Sequence, residues 1–181
     1  MNAHARINWD LVDQFQQRFG WERTFKRARH FMAAYICQIR RPLPPLAAQG
    51  WGIAKRFQKG TTTQEECTKT IADMWEYIKQ HEDSVASPDP NGCIMRALVW
   101  LLRDDKLGSG GKEPIISEEI HWFLFFAKKF EDHPDCASSL IEQHFSSEQY
   151  CDRSTGDPPL LSIGSNTSIT LIEGQDYLLH R

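Results

Sequence analysis

His133, Cys136, His144 and Cys151 stand in the order H-x2-C-x7-H-x6-C. Imidazole and thiolate are the ligands zinc prefers. The second pair, however, lacks the tight spacing of zinc motifs, and residues 134–146 read as a helix that would have to fold back to close the site. No metal site and no cofactor is expected. A cysteine nucleophile is the next candidate. It needs a neighbouring base and an exposed, electropositive setting. Cys151 lies beside a linker-like stretch but has no accompanying signature, and His30 precedes Cys37 by seven residues on one helix. Cys37 and Cys67 read better as small buried apolar residues. The five cysteines are odd in number and irregularly spaced, which argues against a disulfide framework and for a reducing, cytoplasmic setting.

Three adjacent carboxylate pairs, Glu65/Glu66, Asp104/Asp105 and Glu118/Glu119, could suggest acid–base work. Neighbours on a helix point apart, and two of the pairs fall at helix starts, where acids complement the helix dipole. They are expected to be structural. The chain has no phosphate-binding loop, dinucleotide fingerprint or nucleophile elbow. No enzymatic activity is expected.

Charge is the more informative signal. The net charge is -3, but residues 18–60 hold ten Lys/Arg against one acid, Glu22. The acids gather in the remainder of the chain. Arg23, Lys26, Arg27 and Arg29, extended by Arg40, Arg41, Lys55 and Arg56, could form one cationic surface. Such a surface suits an acidic protein partner, where complementary fields steer association. It also suits a phosphate backbone. The pI of about 6.2 is low for a dedicated nucleic-acid binder, so an acidic protein is the preferred partner and nucleic acid the alternative. A bland reading stays open, in which the basic and acidic parts pair with each other across the fold.

The elements that would carry these residues are legible from periodicity and punctuation. Asn8 is a plausible N-cap, Trp9, Val12, Phe15 and Phe19 form a stripe, and Gly20 ends the first helix. Trp21, Phe25, Ala28, Met32, Tyr35 and Ile39 are spaced 4-3-4-3-4 and predict a second helix to about Arg40. The segment RRPLPPL resembles a polyproline ligand, with Arg41 and Pro44 in register but Ala47 where the last proline belongs. Flanking helical patterns favour a stiff corner instead. A third helix is expected from about Pro45 to Lys59, with Leu46, Ile53, Ala54 and Phe57 inward and Gly60 as its stop. Thr63 and Glu66 predict a capping box opening a fourth helix, with Ile71, Met74, Trp75 and Ile78 as its core face.

Residues 81–92 read as a loop. CIMRALVWLLRDD is a fifth, central helix, residues 106–114 a second loop, and Ser117 the cap of a sixth helix whose run Trp122–Ala127 also suits the middle of a bundle. A seventh helix follows Pro134 and ends near Ser146. The loops at 82–92 and 104–114 are secondary candidates for partner contact. Residues 1–150 thus predict a mainly α domain, a bundle of six to seven helices. Residues 151–181 predict a linker and a short β-like or mobile tail, with Leu160–Ile163 and Thr167–Ile172 as a possible hairpin. No apolar run reaches membrane-spanning length, and MNAHARINWD has no apolar signal core, so no membrane association is expected.

Residues 25–66, FKRARHFMAAYICQIRRPLPPLAAQGWGIAKRFQKGTTTQEE, resemble a two-helix element of bacterial helical toxin-immunity proteins and related helical proteins without assigned activity. In that element a basic helix precedes one that ends in Gly-x-Thr-x-Glu-Glu. The resemblance implies a protein that binds a cognate partner and performs no chemistry. No site residue carries over from it.

Overall fold

The first helix, α1 (Trp9–Phe19), stops because Gly20 turns the chain with φ 79°, a left-handed angle that glycine adopts without strain. Asn8 sits at the N-cap position, but its side chain makes no capping bond. α2 (Trp21–Gln38) follows at once, then α3 (Pro45–Gln58), α4 (Gln64–His81), α5 (Pro90–Leu102), α6 (Ile116–Phe130) and α7 (Pro134–Phe145). This computed structural model describes residues 7–81, 89–103, 113–131 and 134–146. Among them there are seven helices and no strand, so the protein is a mainly α bundle. The hairpin expected in residues 151–181 lies outside the described residues, as do most of the two loops at 82–92 and 104–114.

Each helix boundary has a local cause or a distant one. Gly60 closes α3 with φ 67°. At α4 the Thr63 hydroxyl accepts from the Glu66 N–H at 3.2 Å while Glu66 accepts from the Thr63 N–H at 3.2 Å, the reciprocal capping box expected from the sequence. α5 begins three residues earlier than expected. The Asp89 carboxylate accepts from the Asn91 and Gly92 N–H groups, and Pro90 takes the first helical position. α6 is not capped by Ser117. Its first residue is Ile116, whose N–H donates to Gln16 Oε1 at 3.0 Å, while Gln16 Nε2 donates to the Pro114 carbonyl at 2.9 Å. A side chain of α1 thus closes a helix that begins one hundred residues later. Gln16→Ala is expected to cost about 1–2 kcal/mol, read as a lower denaturation midpoint in urea, because both bonds go with one side chain.

α5 and α6 pack most extensively, with α4 and α3 against α5 and with α2, α1 and α7 gathered around the other side of α6 and each other. The centre is aromatic. Phe123 of α6 meets Phe31 and Tyr35 of α2 edge-on at 6.3 and 5.8 Å, and Phe145 of α7 meets Phe15 of α1 at 5.7 Å. Ile94, Leu98 and Leu102 of α5 and Ile120 of α6 are fully buried in the same core. α2 is buried on more than one stripe, since Thr24, Phe31, Ala33 and Ile36 are inside along with the periodic positions. Gly50 of α3 lets α4 approach: a Cβ there would overlap the Met74 methyl.

Two expected core faces need correction. In α4, Met74 and Ile78 are buried as expected and Ile71 is partly so, but Trp75 is 38% exposed, and Cys67 and Thr70 complete the buried face. In α6, Phe123, Leu124 and Ala127 are inside, while Trp122 and Phe125 face outward at 46% and 44% exposure. Apolar type predicts burial only in one direction, and a helix side that meets no other helix among the described residues leaves large rings there. Cys37 is likewise on the exposed side of α2 rather than in the core, whereas Cys67 and Cys93 are fully buried. Among the described residues no helix is long and apolar enough to cross a membrane.

Candidate protein-binding surface

The expected cationic residues divide into two sets by what they touch. Three arginines reach the C-terminal ends of three other helices. Arg27 Nε donates to the His144 carbonyl, in the last turn of α7, at 2.6 Å. Arg29 Nη2 donates to the carbonyl of Arg103, the C-cap of α5. Arg41 Nη1 donates to the carbonyl of Phe130, the last residue of α6, at 3.3 Å, with its guanidinium 4.5 Å from the Phe130 ring centroid. The final carbonyls of a helix have no intrahelical donor and carry the negative end of its dipole, so a guanidinium is suited to them. These three arginines are thus engaged within the fold by helix-end carbonyls, a different contact from the pairing of basic with acidic side chains that the charge asymmetry suggested.

Arg29 has the most developed setting. Its guanidinium lies 4.5 Å from the Phe25 ring centroid and 5.0 Å from that of Phe57. Stacking between rings suits a flat, weakly hydrated cation. Glu119 of α6 is close to both Arg29 and Arg103, the latter at 3.8 Å. Burial pushes the Glu119 carboxyl up from its ordinary value, and the two arginines only partly offset that. The Glu118/Glu119 and Glu65/Glu66 pairs lie in the first turns of α6 and α4, where acids complement the helix dipole. Glu66 completes the capping box, where hydrogen bonds from Thr62 and Thr63 hold its carboxyl below the usual range. Asp104/Asp105 lie outside the described residues.

The RRPLPPL segment is the corner between α2 and α3. Pro44 is the N-cap of α3 and Pro45 its first residue. One carboxylate oxygen of Glu131 accepts from the backbone N–H of both Arg40 and Arg41, at 2.9 and 2.6 Å. Leu43 is half-buried against the core. A segment tied down in this way is not presented as an extended ligand.

The second set faces solvent. Arg23 and Lys26 are exposed on α2 and make no ion pair among the described residues. The Arg40 side chain is exposed at the far end of the helix, and Lys55 is exposed on α3, its ammonium 5.6 Å from the Trp51 ring centroid. Arg56 pairs with Glu66 at 3.4 Å, both about half exposed, a solvent-screened contact that ties Arg56 down little. Gln58 reaches the Arg29 carbonyl at 3.4 Å, and Lys55 acts electrostatically on Cys37, so the second half of α3 comes near α2 at these two points. From Arg23 to the end of α2 is about 22 Å, a span suited to a protein surface.

Among the described residues the remaining chemical candidates do not assemble. Cys136 and His144 lie eight residues apart on α7, about 12 Å along its axis, beyond the joint reach of the two side chains toward one ion. The His144 ring is turned inward, 6.3 Å from the Phe31 centroid, and His133 and Cys151 lie outside the described residues. Among the described residues no three His, Cys, Asp or Glu side chains converge as a metal site would need. Burial pushes the Cys136 thiol up, away from the reactive thiolate, and Cys37, although on the exposed side of α2, is shifted the same way by the protein atoms around its thiol, with Lys55 partly opposing this. No protein-family model matches the chain, and neither a curated protein nor a solved structure matches it.

Proposed function

We propose that the chain is a non-enzymatic binding protein that covers an acidic surface of another protein with the outward cations of α2 and α3. The observation that carries this reading is the division of the basic block. Arg27, Arg29 and Arg41 are engaged on helix ends, whereas Arg23 and Lys26 stand exposed with no ion pair among the described residues. Cations kept in water on one helix cost little and steer an oppositely charged partner. The partner would be held by occlusion, its own functional surface covered. The resemblance of residues 25–66 to toxin-immunity elements supports the finer reading, an immunity or regulatory factor in bacterial competition or defence.

A tagged pull-down from lysate, with and without nuclease, tests this directly. A stoichiometric protein retained after nuclease is the expected result. Arg23→Glu with Lys26→Glu is expected to weaken its capture about tenfold or more, with a helical spectrum unchanged. Capture that vanishes with nuclease would replace the reading by nucleic-acid binding through the same residues.

A further inference from the structure

α6 has two faces of different kinds. Inward it presents Ile116, Ile120, Phe123, Leu124, Ala127 and Phe130, all buried. Outward it presents Glu118, Trp122, Phe125 and Lys129, spaced 4-3-4 and all exposed. That spacing keeps four side chains on one line of a helix, the seam geometry of helix pairs. The Trp122 and Phe125 rings meet edge-on at 5.7 Å, and the Lys129 ammonium is 4.9 Å from the Phe125 centroid. The patch has a shoulder. Phe126 stacks on Trp122 at 6.3 Å, and the Arg96 guanidinium lies 5.4 Å from Phe126 and 5.2 Å from the exposed Trp75 of α4. Large rings held outward in one group mark a contact surface more often than isolated exposed apolar residues do.

The order of side chains along the line says what covers it. Glu118 and Lys129 are equally far from the midpoint of the stripe, between residues 123 and 124, and so are Trp122 and Phe125. Rotating the helix half a turn about an axis through that midpoint places Glu118 opposite a second Lys129. It also places Trp122 opposite a second Phe125, and each pairing occurs twice. An acid at one end and a base at the other, flanking two aromatic residues, is self-complementary only in the antiparallel sense. A parallel pairing would set Glu118 against Glu118. We propose that a second copy of this chain docks on the stripe, with α6 antiparallel to α6, forming an isologous two-fold dimer. The residues involved are separate from the cations of α2 and α3, so the inference stands apart from the proposed function. The contact spans about three helical turns, which is small for a permanent interface, so the dimer is expected to dissociate on dilution through the micromolar range.

Sedimentation velocity of the full chain over a concentration series is the test. A monomer–dimer equilibrium is expected, weakened about 30-fold by Trp122→Ala. Glu118→Lys and Lys129→Glu are each expected to weaken it about tenfold, and the double swap to return it close to the parent value. Each single swap also opposes the α6 dipole, so a purely structural effect would make the double variant the worst of the three. Recovery in the double variant therefore reports pairing between copies. A chain that stays monomeric throughout overturns the proposal, as does a dimer indifferent to Trp122. A monomer that captures a different protein, and loses it with Trp122→Ala, overturns it in favour of that partner.

Discussion

Acidification from about pH 6.5 to about pH 4 is expected to remove about 3 kcal/mol of folding stability through a single side chain, His144. The ring is 4% exposed, lies edge-on to Phe31, and its Nε2 is buried without a hydrogen-bond partner among the described residues. Burial, with Arg27 and His30 adding repulsion, pushes its pKa from 6.5 down to about 4. The folded protein thus keeps the ring neutral where the unfolded chain would protonate it. Between the two values the unfolded state binds more protons, so stability is full above about 6.5 and falls as the pH drops toward 4. Urea midpoints at several pH values should show this slope. His144→Phe keeps an aromatic ring against Phe31 and forfeits no bond at Nε2. It leaves the His144 carbonyl in place for Arg27. The variant should lose the slope between pH 4 and 6.5 relative to the parent. The difference between the two proteins isolates His144 from Glu119, whose raised pKa acts in the opposite sense, adding stability as the pH falls. Parallel curves would show that the ring is protonated in the fold.

The sequence carried the helices because their limits are mostly local. Gly20 and Gly60 sit at left-handed turns, Pro45 opens α3, and Thr63 and Glu66 cap each other within four residues. What stayed hidden depends on residues far apart in the chain. Gln16 caps α6 across about a hundred residues, and Arg27, Arg29 and Arg41 meet carbonyls 74 to 117 residues away. Composition located the basic block but had no means of separating arginines that face helix ends from those that face water. The same limit applies to apolar residues. Periodicity identified the α6 core face, yet Trp122 and Phe125 lie in the same apolar run and point outward. Exposure of a large ring is set by which helices happen to be absent on that side, and that is a property of the assembled bundle. The clue was available only as a second stripe, 118-122-125-129, overlapping the first.

The sharpest test of the divided basic block compares two arginines of one helix, six residues apart. Arg29→Ala is expected to cost about 2–4 kcal/mol of stability, and Arg23→Ala less than about 0.5. Arg29 is half-buried between Phe25 and Phe57 and supplies the donor for the last carbonyl of α5. Its loss removes the packing of the side chain, strands that carbonyl, and takes one of two cations from the partly buried Glu119. Lysine should restore less than half, because an ammonium neither lies flat between two rings nor forks toward a carbonyl. Glu119→Gln in the Arg29→Ala background should recover part of the loss, since the carboxylate is then no longer under-compensated. Arg23, in water, has none of these dependences. Its replacement should leave the urea midpoint unchanged and lower partner capture, while Arg29→Ala should lower the midpoint and leave capture by the surviving folded protein near the parent level. Equal costs at the two positions would mean that the α2 cations act as one undivided patch. The assignment of Arg23 and Lys26 to a partner would then lose its basis, because it rests on the difference between a guanidinium that closes a helix and one that makes no such contact among the described residues.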